Sequence, residues 1–309
     1  MIEVLKPGFY TLIQDLGRFG FQEFGMPVSG VMDTDSYQLA NWLVGNVSSE
    51  AVLEITMVGP RLEFKKDTFI GLSGADISPE IDGKTIEMYK TTKVLKGSVL
   101  TFGTLKSGCR SYLSVVGGFN VATVMGSRST YAYASIGGIE GRELRKGDVL
   151  KIGEQRIAKI ISVPKNLQIQ QFSLMPLRVL EGAEFYLLSD DDKNLFFNQE
   201  FTVSVNSNRM GFRLEGVCLT TLKVDMISSG IVKGTIQLPP SGKPIILLAE
   251  AQTTGGYPRV LNVIKSDLNL LAQHRPGSKI RFRKVNLEEA QVNYFNKERR
   301  FKELLGEGF

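Results

Sequence analysis

Short apolar runs separated by turn-forming residues dominate this sequence and limit what it can fold into. Runs of four or five residues, such as Val52–Ile55 and Tyr112–Val116, are separated by turn signals such as Asp82-Gly83. Runs of this length and spacing are typical of β-sandwiches and β-barrels, so we predict a mainly β fold. The other predicted strands are Phe69–Leu72, Val99–Phe102, Val149–Ile152, Leu177–Leu180, Phe201–Val205, Ile245–Leu248 and Lys279–Arg283.

Helical patterns are few and short. Asp33–Gly45 begins with capping residues and carries Leu39 and Leu43 four positions apart. Ser266–Ala272 is a second candidate, and Asn286–Leu305 is a third with only a ragged apolar face. We interpret the third as a surface or partner-facing helix with a basic end.

The length of the chain predicts two domains. A chain of 309 residues is long for one domain, and about 150 residues each is the usual size for two. The polar, proline-flanked segment Ser162–Pro176 lies near the middle. We therefore predict an N-terminal domain at 1–165 and a C-terminal domain at 175–309. No fixed-period repeat is found, which argues against solenoids and propellers.

Composition and charge exclude several classes of function. The net charge is +5, and the basic residues are scattered apart from Lys297–Lys302. Nucleic-acid binding needs a concentrated basic stripe, so we do not predict it. No apolar run approaches the roughly 20 residues of a membrane span, and the N-terminus does not resemble a signal peptide. We expect a cytoplasmic protein that does not bind membranes.

Cysteine and histidine are too rare for the common catalytic and metal sites. Cys109 and Cys218 are the two cysteines and His274 is the single histidine, so no zinc motif can be written and we predict no metal. A serine or cysteine triad is poorly supported, since one histidine must serve it and no Gly-x-Ser-x-Gly occurs. His274 reads as a helix-end residue. Two lone cysteines suit a reducing compartment.

With histidine set aside, a general base must be a carboxylate. The candidates are Glu250, Asp33 and Asp267. Asp33 also reads as a helix N-cap, which is the role we favour for it. Arg18, in the glycine-rich stretch before it, fits a pocket rim and a structural connector equally well.

The segment Glu250–Arg259 has the most concentrated set of polar groups in the chain. It follows an apolar strand, and Gly255 and Gly256 allow the backbone to approach another group closely. Such a strand end can hold a small polar substrate. We predict Glu250 as catalytic and the following residues as substrate-binding: Gln252, Thr253, Thr254, Gly255, Gly256, Tyr257 and Arg259.

A second candidate site is the segment Ser127–Thr130. Its backbone N–H groups can form an anion-binding nest, and Arg128 can supply a guanidinium for a carboxylate or phosphate. The alternative is a tight turn with Arg128 or Arg142 in a structural ion pair. We favour the site, with Arg128 catalytic and Ser127, Ser129 and Thr130 binding substrate.

Two further segments supply weaker candidates. Arg209 and Arg213 lie four apart beside two asparagines and can bind a carboxylate, although a structural turn fits slightly better. Gln237 lies on a probable strand and is a substrate-binding candidate. Lys243 follows a glycine but is followed by Pro244, and no P-loop or dinucleotide fingerprint occurs. The chain therefore has no recognisable nucleotide cradle of its own.

Seven ordered motifs resemble those of the biotin-dependent carboxyltransferase family, also called allophanate hydrolase subunit 2. The resemblance runs from about Glu3 to Phe282 and leaves the basic C-terminal helix outside it. The motifs are Asp15–Gly20, Ser29–Asp33, Leu53–Pro60, Met125–Thr130, Gly141–Asp148, Ser207–Leu214 and Gln252–Arg259.

This resemblance implies a fold, partners and an activity. The fold is two cyclophilin-like β-barrel domains with a few short helices. Bacterial members include the C component of 5-oxoprolinase, which acts with a KipI-like B component and a LamB/YcsF-type A component. That assembly is an enzyme that opens 5-oxo-L-proline to L-glutamate and uses ATP at the level of the complex.

The family also implies two alternatives. One is a regulatory KipA-like protein that binds a KipI-type kinase inhibitor. The other is the carboxyltransferase component of a biotin-dependent urea carboxylase or allophanate hydrolase system, with biotin as cofactor. The sequence contains neither a biotinyl-lysine domain nor an ATP-grasp domain, so we favour the oxoprolinase component. In every case we expect Ser127–Thr130 and the Gln252–Arg259 loop to face one cleft.

Overall fold

The computed structural model describes residues 1–154, 157–168, 175–220 and 226–306. The chain divides into two compact units. The first comprises Met1–Arg18 and Ser29–Gln171 with Leu305–Phe309, and the second comprises Phe19–Val28 and Phe172–Leu304. The segment in which we expected the boundary lies partly outside the described residues, and the limits 1–165 and 175–309 stay a prediction.

The first unit contains two antiparallel sheets. The six-stranded sheet has the spatial order β11 (Val149–Leu150), β1 (Ile2–Lys6), β4 (Arg61–Phe64), β9 (Val99–Phe102), β6 (Pro79–Ile81) and β7 (Lys84–Thr85). The five-stranded sheet has the order β2 (Tyr10–Gln14), β3 (Val52–Thr56), β10 (Ser107–Val115), β5 (Thr68–Asp76) and β8 (Thr92–Val94).

One apolar core lies against both sheets of the first unit. Ile2 and Val4 of β1 are fully buried, whereas Glu3 between them is not, as expected for a strand with one face on a core. Leu53 of β3 and Leu113 of β10 belong to the same cluster. Burying each such side chain contributes roughly 1.5–3 kcal/mol, so this shared core holds the two sheets together.

Helix α1 (Thr34–Leu43) packs on the five-stranded sheet. Its N-cap is Asp33, whose carboxylate accepts a hydrogen bond from the Ser36 N–H at 3.0 Å, which confirms the capping role. A Cβ atom at Gly71 of β5 would lie 2.6 Å from the carbonyl oxygen of Ala40. A glycine is therefore needed there for the helix to approach the sheet. The helix ends two residues before the predicted limit, Gly45.

The second unit contains an eight-stranded sheet that nearly closes on itself. Its end strands, β20 and β21, are separated in sequence by Arg281 alone, so the two edges of the sheet are consecutive parts of one chain segment. This arrangement curls the sheet into a barrel. The spatial order is β20 (Lys279–Ile280), β13 (Phe201–Val203), β14 (Gly211–Glu215), β17 (Ile245–Leu247), β16 (Thr235–Gln237), β19 (Arg259–Val263), β12 (Leu177–Glu181) and β21 (Phe282–Lys284).

Aromatic side chains fill the part of this barrel where its end strands meet. The rings of Phe196, Phe201 and Phe282 pack with centroids 5.4 to 5.9 Å apart, and all three are buried. A separate two-stranded ribbon consists of β15 (Ser229–Gly230) and β18 (Thr254–Gly255). The mainly β fold is confirmed, whereas the cyclophilin-like classification stays a prediction.

The remaining helices are α2 (Asp190–Asn198), α3 (Leu268–Ala272) and α4 (Leu287–Leu305). The last two match the predicted helices closely, whereas α2 was not predicted. Ser189 caps α2 by accepting a hydrogen bond from the Asp192 N–H at 3.1 Å. No helix among the described residues is long and apolar enough to cross a membrane.

Candidate functional site

A buried carboxylate organises the Ser127–Thr130 segment. Asp15 follows β2, and its Oδ1 accepts hydrogen bonds from the hydroxyls of Ser127 and Ser129 at 2.5 and 2.6 Å. Its Oδ2 accepts the Arg128 N–H at 2.5 Å, and Gly17 donates its N–H to Oδ1 at 2.8 Å. The nest predicted for a substrate anion is therefore filled by a carboxylate of the protein.

The other groups of this segment also bond within the first unit. Thr130 donates its hydroxyl to the Ile13 carbonyl at 3.0 Å, and Gln14 donates its amide to the Thr130 carbonyl at 2.9 Å. Ser127, Ser129 and Thr130 are fully buried. The substrate-binding role predicted for these three residues stays a prediction, and their hydroxyls are already engaged by the protein.

Arg128 is the residue of this segment that reaches solvent. About a third of its side chain is exposed, and its guanidinium lies 4.0 Å from the Glu50 carboxylate. Its Nε is buried without a hydrogen-bond partner. Since the distance to Glu50 is at the limit for an ion pair, the guanidinium is well placed to take a further anionic partner.

Other arginines near these motifs have structural roles. The Arg18 side chain is fully buried and donates to the Ser129 carbonyl, so it is a connector and not a pocket rim. Arg142 makes a two-pronged contact with Asp148, at 2.8 and 2.9 Å. This guanidinium holds the pKa of Asp148 below its ordinary value. The structural ion pair considered for Arg142 is therefore present.

In the second unit, Glu250 and Arg209 form a buried ion pair. The Arg209 Nε donates to the Glu250 Oε1 at 2.5 Å, and both side chains are less than a tenth exposed. The backbone repeats the contact, since the Glu250 N–H donates to the Arg209 carbonyl at 3.0 Å. The pair ties the turn before β14 to the end of β17. A carboxylate held this way is better suited to fixing the loop than to removing a proton.

The segment after Glu250 combines buried anchors with exposed polar groups. Gln237 of β16 is buried and donates its amide to the Tyr257 carbonyl at 3.2 Å. A Cβ at Gly255 would lie 2.8 Å from the Gln237 Nε2, so glycine is required where this amide approaches. Gln252, Thr254 and Tyr257 are exposed, which leaves one amide and two hydroxyls facing solvent.

Arg259, at the end of this loop, is held by a carboxylate that sequence reasoning missed. Its Nε and Nη2 donate to the two oxygens of Glu184 at 2.9 and 2.7 Å. Its backbone N–H also donates to Glu184, at 2.8 Å. This contact raises the pKa of Arg259 and lowers that of Glu184. Arg259 thus anchors the loop, and its predicted contact with substrate stays a prediction.

The remaining base candidates are also engaged. Asp33 caps α1, and Asp267 accepts hydrogen bonds from the Arg178 backbone N–H at 2.9 Å and from its Nε at 3.0 Å. His274 is buried at the end of α3, where burial lowers its pKa. Within the described residues, no group of three or more potential ligands suits a metal ion.

Asp15 and Glu184 are the main residues that sequence reasoning did not identify. Asp15 stands within a quoted motif, but nothing in its spacing shows that Ser127, 112 positions later, will donate to it. Ser127–Thr130 belongs to the first unit and Glu250–Arg259 to the second. Their convergence on one cleft stays a prediction.

Comparison with known proteins gives consistent matches along the chain. The family model for "Carboxyltransferase domain, subdomain A and B" matches residues 24–284. The C component of the Escherichia coli K12 5-oxoprolinase is 37% identical over 305 residues, which cover 98% of this chain and 97% of that protein. The Haemophilus influenzae protein of the same name is 38% identical over 292 residues, 94% of this chain and 93% of that one.

Longer proteins contain a region similar to this chain. The Lachancea kluyveri urea amidolyase is 31% identical over 94% of this chain, which spans only 17% of that protein. The crystal structure of the Kluyveromyces lactis urea amidolyase matches with a TM-score of 0.90 and 30% identity, over 99% of this chain and 20% of that one. The crystal structure of TTHA0988 matches with a TM-score of 0.83 and 32% identity, over 91% and 55% of the two chains.

Proposed function

Because this chain belongs to the family defined by the carboxyltransferase domain, subdomains A and B, we propose that it is the C component of an ATP-dependent 5-oxoprolinase. The complex would hydrolyse 5-oxo-L-proline to L-glutamate. The observation that carries this proposal is similarity from end to end with two bacterial 5-oxoprolinase C components. By contrast, the urea amidolyases are several times longer than the region they share with this chain.

The proposed partners are a KipI-like B component and a LamB/YcsF-type A component. Relatives named as one lettered component of a 5-oxoprolinase imply further subunits, and the family resemblance supplies these two types. ATP is used at the level of the complex, since no P-loop occurs in this chain. We place the complex in the cytoplasm, where the unpaired thiols of Cys109 and Cys218 stay reduced.

The proposed chemistry follows from the weakness of a lactam as an electrophile. Its carbonyl becomes reactive once ATP phosphorylates its oxygen, and negative charge then develops beside the attacked carbon. The Arg128 guanidinium is the group we assign to that charge or to the substrate carboxylate. The exposed Gln252, Thr254 and Tyr257 can orient the substrate, while Arg209–Glu250 and Glu184–Arg259 hold their loop.

Reconstitution tests the proposal directly. The three purified components should release glutamate only when ATP and 5-oxoproline are both present, and omitting this chain should abolish release. Arg128→Ala should lower kcat/KM by about 100- to 1000-fold, the usual cost of losing a charge-stabilising group. Arg281→Ala removes an exposed guanidinium on the barrel and should change little. An active complex that needs no Arg128 would contradict the assigned role.

A biotin-dependent carboxyltransferase is the second candidate, favoured by the similarity to urea amidolyases. This function needs a biotinylated carrier protein, so avidin should inhibit it, whereas avidin should not affect the 5-oxoprolinase. Tight binding of a KipI-like protein with no turnover of 5-oxoproline would instead support the regulatory alternative.

A further inference from the structure

We propose that Asp15 is a positioning residue that fixes the backbone of Arg128 and so aims its guanidinium. The activity part of this inference rests on the proposed function, whereas the geometric part does not. It assigns to Asp15 the place in the Ser127–Thr130 nest that we first expected a substrate anion to take. The substrate contact of this segment is left to the Arg128 side chain alone.

The first argument is the number of donors that converge on one buried carboxylate. Asp15 is only 7% exposed, and its two oxygens accept four hydrogen bonds. A buried carboxylate needs such a set, because leaving a charge unpaired in the interior is very costly. Since Ser127 and Ser129 donate their hydroxyls to Asp15, a second anion would find no free hydroxyl there.

The second argument is that both backbone groups of Arg128 are held. Its N–H donates to the Asp15 Oδ2 at 2.5 Å, and its carbonyl accepts the Gly138 N–H at 2.9 Å. Gly137 and Gly138 must be glycines for this contact, since a Cβ on either would lie 2.0 Å from an atom of Ser129 or Thr130. The peptide on each side of Arg128 is therefore fixed by a separate part of the chain.

The third argument is the contrast between this fixed backbone and the loosely held side chain. The guanidinium has Glu50 at 4.0 Å, a third of the side chain is exposed, and the buried Nε has no hydrogen-bond partner. A side chain that projects from a rigid backbone towards solvent is organised for contact with something outside this unit. Asp15 supplies much of that rigidity, although it touches no substrate itself.

Asp15→Asn is the sharpest test, because the two oxygens have different partners. Oδ1 accepts three donors and Oδ2 accepts only the Arg128 N–H. The asparagine will keep its oxygen at the Oδ1 position and turn its NH2 towards the Arg128 N–H, where two donors face each other. The variant should lose one bond and keep the other three.

We expect three results for Asp15→Asn in the reconstituted complex. Hydrogen exchange at the peptide containing Arg128 should become faster, and kcat/KM should fall by about 100-fold, since a misplacement near 1 Å can cost that much. The double variant with Arg128→Ala should be no worse than Arg128→Ala alone, because Asp15 acts through Arg128. A merely structural role would give losses that multiply.

The matched control is Asp82→Asn. Asp82 also accepts a backbone hydrogen bond, from the Val99 N–H at 2.8 Å, but at an exposed turn. This variant should keep activity and exchange unchanged. Should Asp15→Asn not fold, Ser127→Ala removes one hydroxyl donor and should show the same pattern with a smaller loss of about tenfold.

Two outcomes overturn the proposal. One is unchanged hydrogen exchange at Arg128 in Asp15→Asn, which would show that the carboxylate does not hold this backbone. The other is faster exchange combined with multiplying losses of activity. If the wild-type complex does not turn over 5-oxoproline at all, the proposed function fails, and hydrogen exchange still decides whether Asp15 holds Arg128.

Discussion

Glu250 shows how the surroundings of one residue decide its role. From the sequence it was the first choice for a general base, since it stands at a strand end among other polar groups. In the structure the Arg209 guanidinium binds it at 2.5 Å, and both side chains are buried. Such a carboxylate is stabilised in its charged form, and its contacts point towards the fold of the loop.

Glu250→Gln should therefore destabilise the protein strongly. Removing one partner of a buried ion pair costs about 3–5 kcal/mol, because the other charge stays buried. Urea denaturation should show this loss, and replacing both Arg209 and Glu250 with leucine should recover part of it. Glu200→Gln breaks the exposed pair with Arg281 and is the matched control, with little expected change. Equal stability of the two single variants would contradict the structural role.

His274 should make the stability of the protein depend on pH. Burial lowers its pKa in the folded chain below the ordinary value of about 6.5. The unfolded chain therefore binds the proton more readily, and stability is full above pH 6.5 and falls as the pH drops below it. His274→Gln should flatten this dependence in urea denaturation between pH 7.5 and 5.5. Since His274 is the single histidine, an unchanged slope would refute the assignment.

Residue types could be predicted from the sequence better than residue partners. Ser127–Thr130 and Glu250–Arg259 were identified because hydroxyls, glycines and arginines are concentrated there. Their partners, Asp15 and Glu184, lie far away in the sequence, and no local spacing gives a contact across 112 or 75 positions. The sequence therefore shows where polar groups gather, and the fold decides which are already satisfied.

Secondary structure was more predictable than contacts, because its signals are local. The limits of β9 match the prediction, and α4 begins one residue inside its predicted start. Helix α2 was missed, although Ser189 before three aspartates is an N-terminal signal. Its charged first turn and mixed later residues give only a weak helical period, and packing of Phe196 in the aromatic cluster stabilises it.

Asp33 is expected to matter for helix α1 and not for proton transfer. Asp33→Ala should lower the free energy of unfolding by about 0.5–2 kcal/mol, since the Ser36 N–H loses its acceptor. Asp33→Asn keeps a good capping oxygen and should stay close to wild type in both thermal stability and activity of the complex. A large loss of turnover in a fully folded Asp33→Asn variant would restore it as a candidate base.

At the scale of the whole molecule, closure of the second sheet depends on residues late in the chain. Phe282 of β21 is buried against Phe196 and Phe201. Phe282→Ala should cost about 3–5 kcal/mol, because it leaves a cavity where the two ends of the sheet meet. Phe295→Ala, on an exposed face of α4, is the matched control. Denaturant unfolding that treats the two variants alike would contradict this account of the barrel.

The two-unit organisation was only partly accessible from the sequence. Length and a polar middle segment suggested two domains, but they gave no sign that Phe19–Val28 groups with the second unit. Short excursions of this kind leave no mark in composition or periodicity. They follow from the path of the chain, which depends on contacts that no local pattern records.

The single-residue gap at Arg281 also sets an order in which this protein can be made. Strand β12 emerges from the ribosome early in the second unit, yet its parallel neighbour β21 is among the last strands translated. Until then one edge of the growing sheet stays open to any passing chain. The first unit has no such delay, since all its described strands precede residue 151. Synthesis of this protein therefore includes an interval in which half of the molecule is complete and the other half needs shielding.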